Sequence, residues 1–190
     1  RSHVMKRIKN GQGRSGTKRS EPVMVRKINA IDLLKEQHQE VKQMFAKLEK
    51  LRGKSNREKE EIFIKLADSL AIHTSIEERY FYPAAKEADV EDILLRSLEE
   101  HLGMKRILAD LLDLETDNPI FDAKMEVLQE QVEHHIKEEE RDIFPKVKRE
   151  LDREYLDDIG REMQSTVTEL EQGDPRNEVP MQTDSAPTLM

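Results

Sequence analysis

An eleven-residue pattern occurs twice in this chain, and each copy combines a histidine, a glutamate four residues later and a closing proline. The copies are HTSIEERYFYP at residues 73–83 and HIKEEERDIFP at residues 135–145, which share the histidine, a Glu-Glu-Arg triplet and an aromatic residue before the proline. Residues four apart lie on one face of a helix, so each copy presents an imidazole and a carboxylate to the same side. The repeat predicts a helical protein built from two similar halves.

The duplication extends to two further histidines. His38 precedes the first copy and His101 precedes the second, so each half of the chain contains one separate histidine and one histidine-glutamate pair. The separate histidines lie 63 residues apart, and the paired histidines His73 and His135 lie 62 residues apart. This near-equal spacing predicts that the two halves fold as equivalent helical hairpins.

Apolar residues recur at steps of three and four in four segments, which is the spacing of amphipathic helices. Residues that cap, stop or kink helices separate these segments: Asn29, Gly53, Asn56, Pro83, Asp89 and Pro145. The Asn and Asp residues are placed to cap the first three helices, and each proline is expected to kink or end its helix. A further amphipathic segment over residues 151–170 predicts a shorter C-terminal helix.

The composition agrees with a helical fold. Charged residues make up 38% of the chain, aromatic residues make up 4%, and tryptophan is absent. This balance is typical of long amphipathic helices rather than of a sheet rich in aromatic and β-branched residues. Short connections between four such helices force sequential neighbours to run in opposite directions. We therefore expect an all-α, antiparallel, up-down-up-down four-helix bundle with an extra C-terminal helix.

Charge divides the chain into two different segments. Residues 1–27 carry nine Lys or Arg residues and one Glu, a formal charge of +8, whereas the rest of the chain carries −16. The basic segment lacks apolar periodicity, so we predict a disordered N-terminal arm over 1–27. We interpret this arm as solvated rather than as a contact for nucleic acid or anionic lipid. The bundle domain is expected over 28–170, followed by a polar, disordered tail over 171–190.

The chain contains no cysteine. Disulfides, cysteine-zinc sites, iron–sulfur clusters and thiol catalysis are therefore excluded, and any site chemistry depends on histidine, carboxylate or hydroxyl groups. No apolar run approaches the roughly 20 residues that a membrane-spanning helix needs, and the N-terminus lacks the apolar core of a signal peptide. These features predict a cytoplasmic protein without a membrane partner.

Each of the four predicted bundle helices carries one histidine on its apolar stripe. A lone histidine at such a position is usually a core residue, but several buried polar side chains destabilise a core by about 1–3 kcal/mol each unless they have partners. A metal ion provides a partner for all of them at once. The predicted ligands are His38, His73, Glu77, His101, His135 and Glu139. This nitrogen and oxygen set leaves both glutamates free to bridge two ions, and it suits iron or manganese without excluding zinc.

Neighbouring residues compete for some of these roles. His134 and Glu138 share the four-residue spacing, but helical neighbours differ by about 100°, so only one of His134 and His135 can point squarely into the bundle. Alignment on the Glu-Glu-Arg triplet selects His135 as the inward residue. His134 is then expected at the rim of the site, the alternative being that it is a fifth histidine ligand. We interpret Glu78 and Glu140 as surface carboxylates, the alternative being that they hold imidazole N–H groups.

Two tyrosines follow the first predicted glutamate ligand. Tyr80 and Tyr82 lie within the first copy of the pattern. We interpret both as packing residues, with a hydroxyl near the metal pocket as the alternative.

With these residues in place, the chain resembles the hemerythrin-like HHE cation-binding domain over roughly residues 29–150. The resemblance rests on the separate histidines, the two His-x-x-x-Glu pairs and the aromatic-proline that follows each pair. It implies a cofactor of two iron ions, bridged by the carboxylates and an oxo or hydroxo group, rather than manganese or zinc. Oxygen-carrying hemerythrins have a further histidine where this chain has Lys105 and an aspartate where it has Glu139. A more symmetric site, closer to the sensing, nitric-oxide-handling or iron-handling branches, is therefore expected.

We therefore predict a non-haem di-iron protein that binds a small ligand, O₂, NO or peroxide, or that senses or stores iron. The alternative is a di-iron enzyme that acts as a peroxide or nitric oxide reductase or oxidase, with an electron donor as a further partner. A ferritin-like version of that enzyme needs two Glu-x-x-His motifs, and no glutamate lies three residues before any of these histidines. A metal-free bundle used for protein contact is the third possibility.

Overall fold

The computed structural model of this protein describes residues 28–54 and 57–190, and every regular element in those ranges is helical. The α-helices are α1 (Ala30–Lys50), α2 (Arg57–Ile76), α3 (Tyr82–Ala85), α4 (Glu91–Leu112), α5 (Pro119–Glu138), α6 (Phe144–Glu150) and α7 (Arg153–Leu170). Two π-helical turns, Glu77–Phe81 and Glu139–Ile143, and two 3₁₀ segments, Lys86–Ala88 and Pro175–Gln182, complete the set. The predicted all-α class is confirmed.

Helices α1, α2, α4 and α5 form the four-helix bundle. The most extensive packing is between α1 and α2 and between α4 and α5, while α1 with α5 and α2 with α4 close the ring. Connections within each of these pairs are short, so the paired helices are antiparallel. The up-down-up-down bundle is therefore confirmed, and its two hairpins correspond to the two halves of the sequence repeat.

The apolar core consists of two clusters, one toward each end of the bundle. Leu34, Ile76, Leu98 and Ile143 belong to the first cluster, and residues nearer the opposite ends of the same helices belong to the second. On α1, α2 and α4 the predicted histidine ligand lies between members of the two clusters. On α5 it lies among members of the second cluster, and the first cluster begins again at Ile143 in the π-helical turn that follows. The fold thus places a layer of polar side chains between two apolar layers.

Short polar residues begin several of these helices. The Asn29 side chain accepts a hydrogen bond from the Ile31 N–H (3.1 Å), which confirms it as the N-cap of α1. Asp89, predicted to cap the third bundle helix, instead adopts a left-handed conformation (φ 54°) that ends the preceding 3₁₀ turn, and Val90 is the N-cap of α4. This prediction is wrong because Asp also tolerates the left-handed region. Asn56 lies outside the described residues.

The two repeat prolines widen their helices rather than end them. A proline within a helix lacks the N–H that would bond four residues back, and its ring crowds the carbonyl at that position. In both copies the residue before the proline bonds five residues back: the Tyr82 N–H donates to the Glu77 carbonyl and the Phe144 N–H to the Glu139 carbonyl. Each predicted glutamate ligand therefore begins a π-helical turn, a feature found frequently at functional sites.

The predicted C-terminal helix, α7, packs mainly against α1. Gly160 makes this close approach possible, because a Cβ at that position would lie 2.7 Å from the Ala30 nitrogen and 2.9 Å from the Asn29 carbonyl carbon, and closer still to the Ile28 oxygen. These obstacles are backbone atoms at the start of α1, which cannot rotate away. The glycine thus fixes how closely α7 lies against the first bundle helix.

Gly160→Ala is therefore expected to destabilise the fold by about 1–3 kcal/mol, the usual range for overpacking a close contact. Urea unfolding measures the change in the free energy of unfolding. Gly173→Ala is the matched control, because its Cβ would meet nothing nearer than the Leu170 oxygen at 3.8 Å. Equal stability of the two variants would contradict the proposed contact.

Residues 171–190, which the sequence predicts as a disordered tail, instead lie against the bundle along α2 and α4. Val179 is buried in the second apolar cluster. The Arg176 guanidinium donates to both carboxylate oxygens of Asp68 on α2 (2.8 and 3.0 Å), and the Arg106 side chain donates to the Thr183 carbonyl (2.9 Å). This prediction is wrong because one buried valine and two long-range arginine contacts hold a segment whose own composition is polar.

One sequence prediction falls on residues that the structure does not describe, and another is tested within the described ranges. The basic arm over 1–27 lies outside the described residues. Within the described ranges, the helices are too short or too polar to cross a bilayer.

Candidate metal centre

The six predicted ligands converge in the polar layer of the bundle. One helix contributes each histidine: α1 His38, α2 His73, α4 His101 and α5 His135. These histidines are at most 4% exposed as whole residues, and Glu77 and Glu139 are completely buried. Two overlapping groups result, His38 with His73, Glu77 and Glu139, and Glu77 with His101 and His135, and the potential ligand atoms in each lie within 4.8 Å of one another. The structure thus brings together every residue of the predicted set.

Glu77 links the two groups through its two oxygens. Its Oε1 lies 3.3 Å from His73 Nε2, and its Oε2 lies 3.2 Å from His101 Nε2. Glu139 does the same through one atom, since its Oε2 lies 3.2 Å from His38 Nε2 and 3.5 Å from His135 Nε2. Both carboxylates therefore reach both halves of the site.

Several of these buried atoms lack a hydrogen-bond partner in the described part of the chain. They are His38 Nε2, His73 Nε2, both oxygens of Glu77 and Glu139 Oε2. A buried polar atom left unpaired destabilises a fold by about 1–3 kcal/mol, so such a concentration in one place is unfavourable without a further partner. Inward-facing imidazole nitrogens and carboxylate oxygens without thiolates are the donors that iron and manganese accept. The residues present therefore fit a pair of metal ions.

The charges of the site also favour a bound cation. Burial and the neighbouring Glu77 both raise the pKa of Glu139, because two buried carboxylates this close repel each other. Burial opposes ionisation of Glu77 too, but the adjacent imidazoles of His73 and His101 hold its pKa well below the usual range. Burial lowers the pKa of His73 to about 3, which keeps its ring neutral and able to ligate a metal. A cation between the carboxylates would remove their mutual repulsion.

The outward nitrogen of every site histidine has a polar partner. His38 Nδ1 bonds to Glu140 (2.9 Å), His73 Nδ1 to Gln37 (2.9 Å), His101 Nδ1 to Glu78 (2.9 Å) and His135 Nδ1 to Glu100 (2.8 Å). These contacts orient the rings so that Nε2 faces the site, as is usual for metal-binding histidines. The interpretation of Glu78 and Glu140 as surface carboxylates is therefore wrong, because both hold imidazole N–H groups.

Tyr82 places its hydroxyl inside the site. The hydroxyl donates to Glu139 Oε1 (2.9 Å) and lies 3.2 Å from His101 Nε2 and 3.5 Å from His135 Nε2. Burial and the charge of Glu139 raise the pKa of Tyr82 well above its ordinary value, so the phenol keeps its proton. Tyr82 is therefore more than a packing residue, whereas the Tyr80 hydroxyl contacts Thr166 on α7 (2.8 Å).

The competing register of the second copy lies outside the site. The side chain of His134 is 69% exposed, and its Nε2 lies 3.8 Å from Glu100 Oε1. Glu138 pairs with Arg96 through contacts of 2.6 and 3.0 Å. Alignment on the repeated triplet therefore selects the residues that point inward.

Lys105 occupies the position at which the resemblance to oxygen-carrying hemerythrins would place a further histidine. Its side chain is 5% exposed, and its Nζ donates to both oxygens of Glu78 (2.8 and 2.9 Å). The lysine therefore holds the carboxylate that orients His101, and its charge is directed to Glu78 rather than to the inner ligand atoms.

Gln37 and Glu100 are the site residues that sequence reasoning missed. Each directly precedes the separate histidine of its half, His38 or His101, so both occupy equivalent repeat positions. That equivalence was a readable signal. A polar residue beside a buried histidine is nevertheless too common to indicate a contact with another helix.

Comparison with known proteins agrees with this geometry. The family model of the hemerythrin HHE cation-binding domain matches residues 29–147. The crystal structure of a hemerythrin HHE cation-binding domain-containing protein from Mycobacterium kansasii has a TM-score of 0.68 and 24% identity to this chain, and the match covers 82% of this chain and 99% of that one. A DNA nickase from Nostoc sp. is 22% identical over 145 residues, 76% of this chain. The chain spans 41% of the length of that relative.

Proposed function

This chain belongs to the hemerythrin HHE cation-binding domain family, and from that premise we propose that it holds two iron ions and uses them to bind a small ligand such as O₂, NO or peroxide, or to sense or store iron. The proposed ligands to iron are His38, His73, Glu77, His101, His135 and Glu139. Iron in such a site supplies redox chemistry and an open position for an exogenous ligand. The side chains around these ligands orient the histidines and hold protons near the site.

One observation carries this proposal: five buried ligand atoms on four residues, unpaired in the described chain, face one another between the two apolar layers. The donor set includes two carboxylates, and the neutral ring of His73 is free to ligate a metal. An apolar or purely structural core would replace such groups or pair them. Two cations held by these residues would satisfy all of them.

The surroundings of the site support a small ligand rather than a large one. The His38 ring stacks on Phe144 (5.7 Å between centroids) and meets His73 edge-on (4.9 Å), and His101 and His135 meet in the same way (4.7 Å). Aromatic rings thus fill most of the space around the donors. A surface cavity of about 590 Å³ lies beside Phe144 and Glu140, which both contact His38. We infer that a diatomic molecule or peroxide enters the site from this cavity.

A direct test is the visible absorption of the protein loaded with ferrous iron under anaerobic conditions and then exposed to NO, with azide added to the oxidised form in parallel. Ligand-dependent absorption bands are the expected result, because both ligands bind open positions on iron. Protein loaded with Zn²⁺, which has no redox chemistry, is the control. Spectra unchanged by NO and by azide would overturn the small-ligand proposal.

Tyr82 favours a second candidate function, a di-iron enzyme that reduces peroxide or NO with electrons from a donor. Its phenol is buried, keeps its proton and donates to Glu139 beside the proposed ions. The Tyr82 hydroxyl is placed to donate a hydrogen bond to a ligand bound beside Glu139, and its raised pKa keeps the phenol in this donor form. Removing one such donor from a site where negative charge develops typically slows a reaction by about 10²–10³-fold.

Tyr82→Phe is therefore expected to slow peroxide consumption by the reduced, iron-loaded protein by about 100-fold or more, while leaving azide binding in place. Stopped-flow turnover measures the rate. Tyr80→Phe is the matched control, since it removes the same hydroxyl from a contact with α7. Equal rates in the wild type and both variants would exclude the enzyme role of Tyr82 and leave the ligand-binding function standing.

A further inference from the structure

The residues surrounding the site repeat along with the proposed ligands. Gln37 and Glu100 precede the separate histidines, and Lys42 and Lys105 follow them by four residues. In the second element of each hairpin, Glu78 and Glu140 follow the shared glutamates, and Tyr82 and Phe144 end the π-helical turns. Each half of the molecule therefore supplies one complete set of outer contacts.

Most of these contacts are equivalent between the halves. Glu78 accepts from His101 Nδ1 and Glu140 from His38 Nδ1, each at 2.9 Å. Tyr82 stacks on His101 (5.5 Å) as Phe144 stacks on His38 (5.7 Å). The outer contacts thus follow the same approximate two-fold relation as the ligands.

The hydrogen-bond partners of the four histidines differ in kind between the halves at one position. Glu100 accepts from His135 Nδ1 through a carboxylate oxygen at 2.8 Å, whereas Gln37 accepts from His73 Nδ1 through an amide oxygen at 2.9 Å. A carboxylate partner raises the basicity of a ligating imidazole more than a neutral partner does, and changing such a partner typically alters metal affinity by about 10–100-fold. His73 is therefore the weaker donor of the two.

Neighbouring charges do not compensate for this difference. Lys105 pairs closely with Glu78 (2.8 Å), and Lys42 lies 4.0 Å from Glu140, so each half has one lysine and one carboxylate at these positions. Glu100 adds a further negative charge to the half that contains His101 and His135. The exposed His134 lies 3.8 Å from it, and the nearby Arg96 is already paired with Glu138. The half that contains His38 and His73 has no matching charge, because the equivalent residue is Gln37.

The two shared carboxylates do not distinguish the halves either. Glu77 reaches His73 and His101 at nearly equal distances (3.3 and 3.2 Å), and Glu139 Oε2 reaches His38 and His135 (3.2 and 3.5 Å). The hydroxyl of Tyr82 lies on the side of His101 and His135, which adds a polar atom to that half. The outer difference is therefore not offset inside the site.

We propose that Gln37 makes the two ion positions unequal, so that the ion held by His38 and His73 binds more weakly and exchanges more readily than the ion held by His101 and His135. Gln37 acts through His73 and is a positioning residue rather than a ligand. This inference rests on the proposed dinuclear site. It gives the protein one retained ion and one exchangeable ion, the arrangement that iron sensing or delivery requires.

Titration of the metal-free protein with Co²⁺, followed by calorimetry and by the visible bands of the bound ion, tests the inequality. The wild type is expected to bind two ions in steps about 10–100-fold apart in affinity. Gln37→Glu is expected to tighten the second step and bring the two together. Glu100→Gln is expected to weaken the first step instead, which provides an independent variant should an added buried carboxylate disturb folding.

Gln39→Glu is the matched control, because it adds the same charge to an exposed position two residues away on α1. It should leave both steps at their wild-type affinities, and circular dichroism should show all variants folded. The inference would be overturned, with the dinuclear site still standing, if the difference in affinity between the two binding steps were the same in the wild type, Gln37→Glu and Glu100→Gln. Binding of fewer than two ions by the wild type would instead overturn the proposed function.

Discussion

Glu77→Gln is expected to lower the affinity of the protein for both iron ions by more than about 100-fold, exceeding the 10–100-fold range typical of outer partners. The Glu77 oxygens lie 3.3 Å from His73 Nε2 and 3.2 Å from His101 Nε2, so this one carboxylate serves both halves of the site. Glutamine keeps the shape of the side chain but removes the charge and one acceptor oxygen. Elemental analysis after reconstitution with ferrous iron and desalting measures the loss.

Glu130→Gln makes the same chemical change at an exposed position on α5 and should retain the wild-type metal content. Circular dichroism should show that both variants are helical, because the core layers on either side of the site are unchanged. Retention of two ions by Glu77→Gln would contradict a shared role for this carboxylate. Loss of one ion alone would show that Glu77 serves a single half.

Removing the metal is expected to lower the thermal unfolding midpoint substantially. An ion that binds only the folded state stabilises it by about 4.1 kcal/mol when its free concentration is 1,000 times Kd. For a chain of this size each kcal/mol shifts the midpoint by about 2–4 °C, so one ion alone is worth roughly 8–16 °C under those conditions. Differential scanning calorimetry of iron-loaded and chelator-treated protein measures the shift.

The stabilisation by metal should grow as the pH rises from about 6 to 8. Burial alone would lower the pKa of His38, His101 and His135, but their carboxylate partners raise it above the ordinary value, and most strongly for His135. These rings hold protons in the metal-free protein, and the stability that the protonated rings contribute is lost as the pH rises through the raised pKa values. Metal binding competes with the same protons. Both effects increase the difference between the loaded and metal-free forms.

His134→Ala provides the control for the metal linkage, since this ring is 69% exposed and lies outside the site. Its iron-dependent shift should match that of the wild type, whereas His135→Ala should lose most of it. Unfolding midpoints that are indifferent to iron and chelator in the wild type would support the metal-free bundle.

The ligand set could be predicted from the sequence because local geometry largely determines it. The four-residue spacing puts His73 and Glu77 on one helix face, and the repeat supplies His135 and Glu139 with the same relation. The approximately equal spacing of the two separate histidines then assigns one to each remaining helix. The register of the second copy followed from the triplet, which distinguished His135 from its neighbour.

The outer contacts could not be predicted because they join different helices. The bonds from Gln37 to His73 and from Glu100 to His135 each cross between paired helices, and no spacing rule within one helix reveals them. The position of the Tyr82 hydroxyl depends on the π-helical turn, which changes the direction of every side chain after Glu77. A proline in the sequence indicates that the helix is distorted, but it does not indicate whether the helix kinks, ends or forms a π-helical turn.

The ordered C-terminal segment shows a different limit. Residues 171–190 are polar and contain several prolines, a composition that predicts disorder when a segment is considered alone. Their position depends on Val179, which enters the core, and on Arg176, which pairs with Asp68 more than a hundred residues earlier. Such partners can be recognised only once the bundle surface is known.

The central claim is that four histidines and two shared glutamates enclose two iron ions. Metal-free wild-type protein loaded anaerobically with ferrous iron, desalted and examined by elemental analysis together with X-ray absorption spectroscopy tests it most directly. The expected result is two irons per chain, each with nitrogen and oxygen neighbours and with a second iron close by. A single iron per chain, or two irons without an iron neighbour, would contradict the claim.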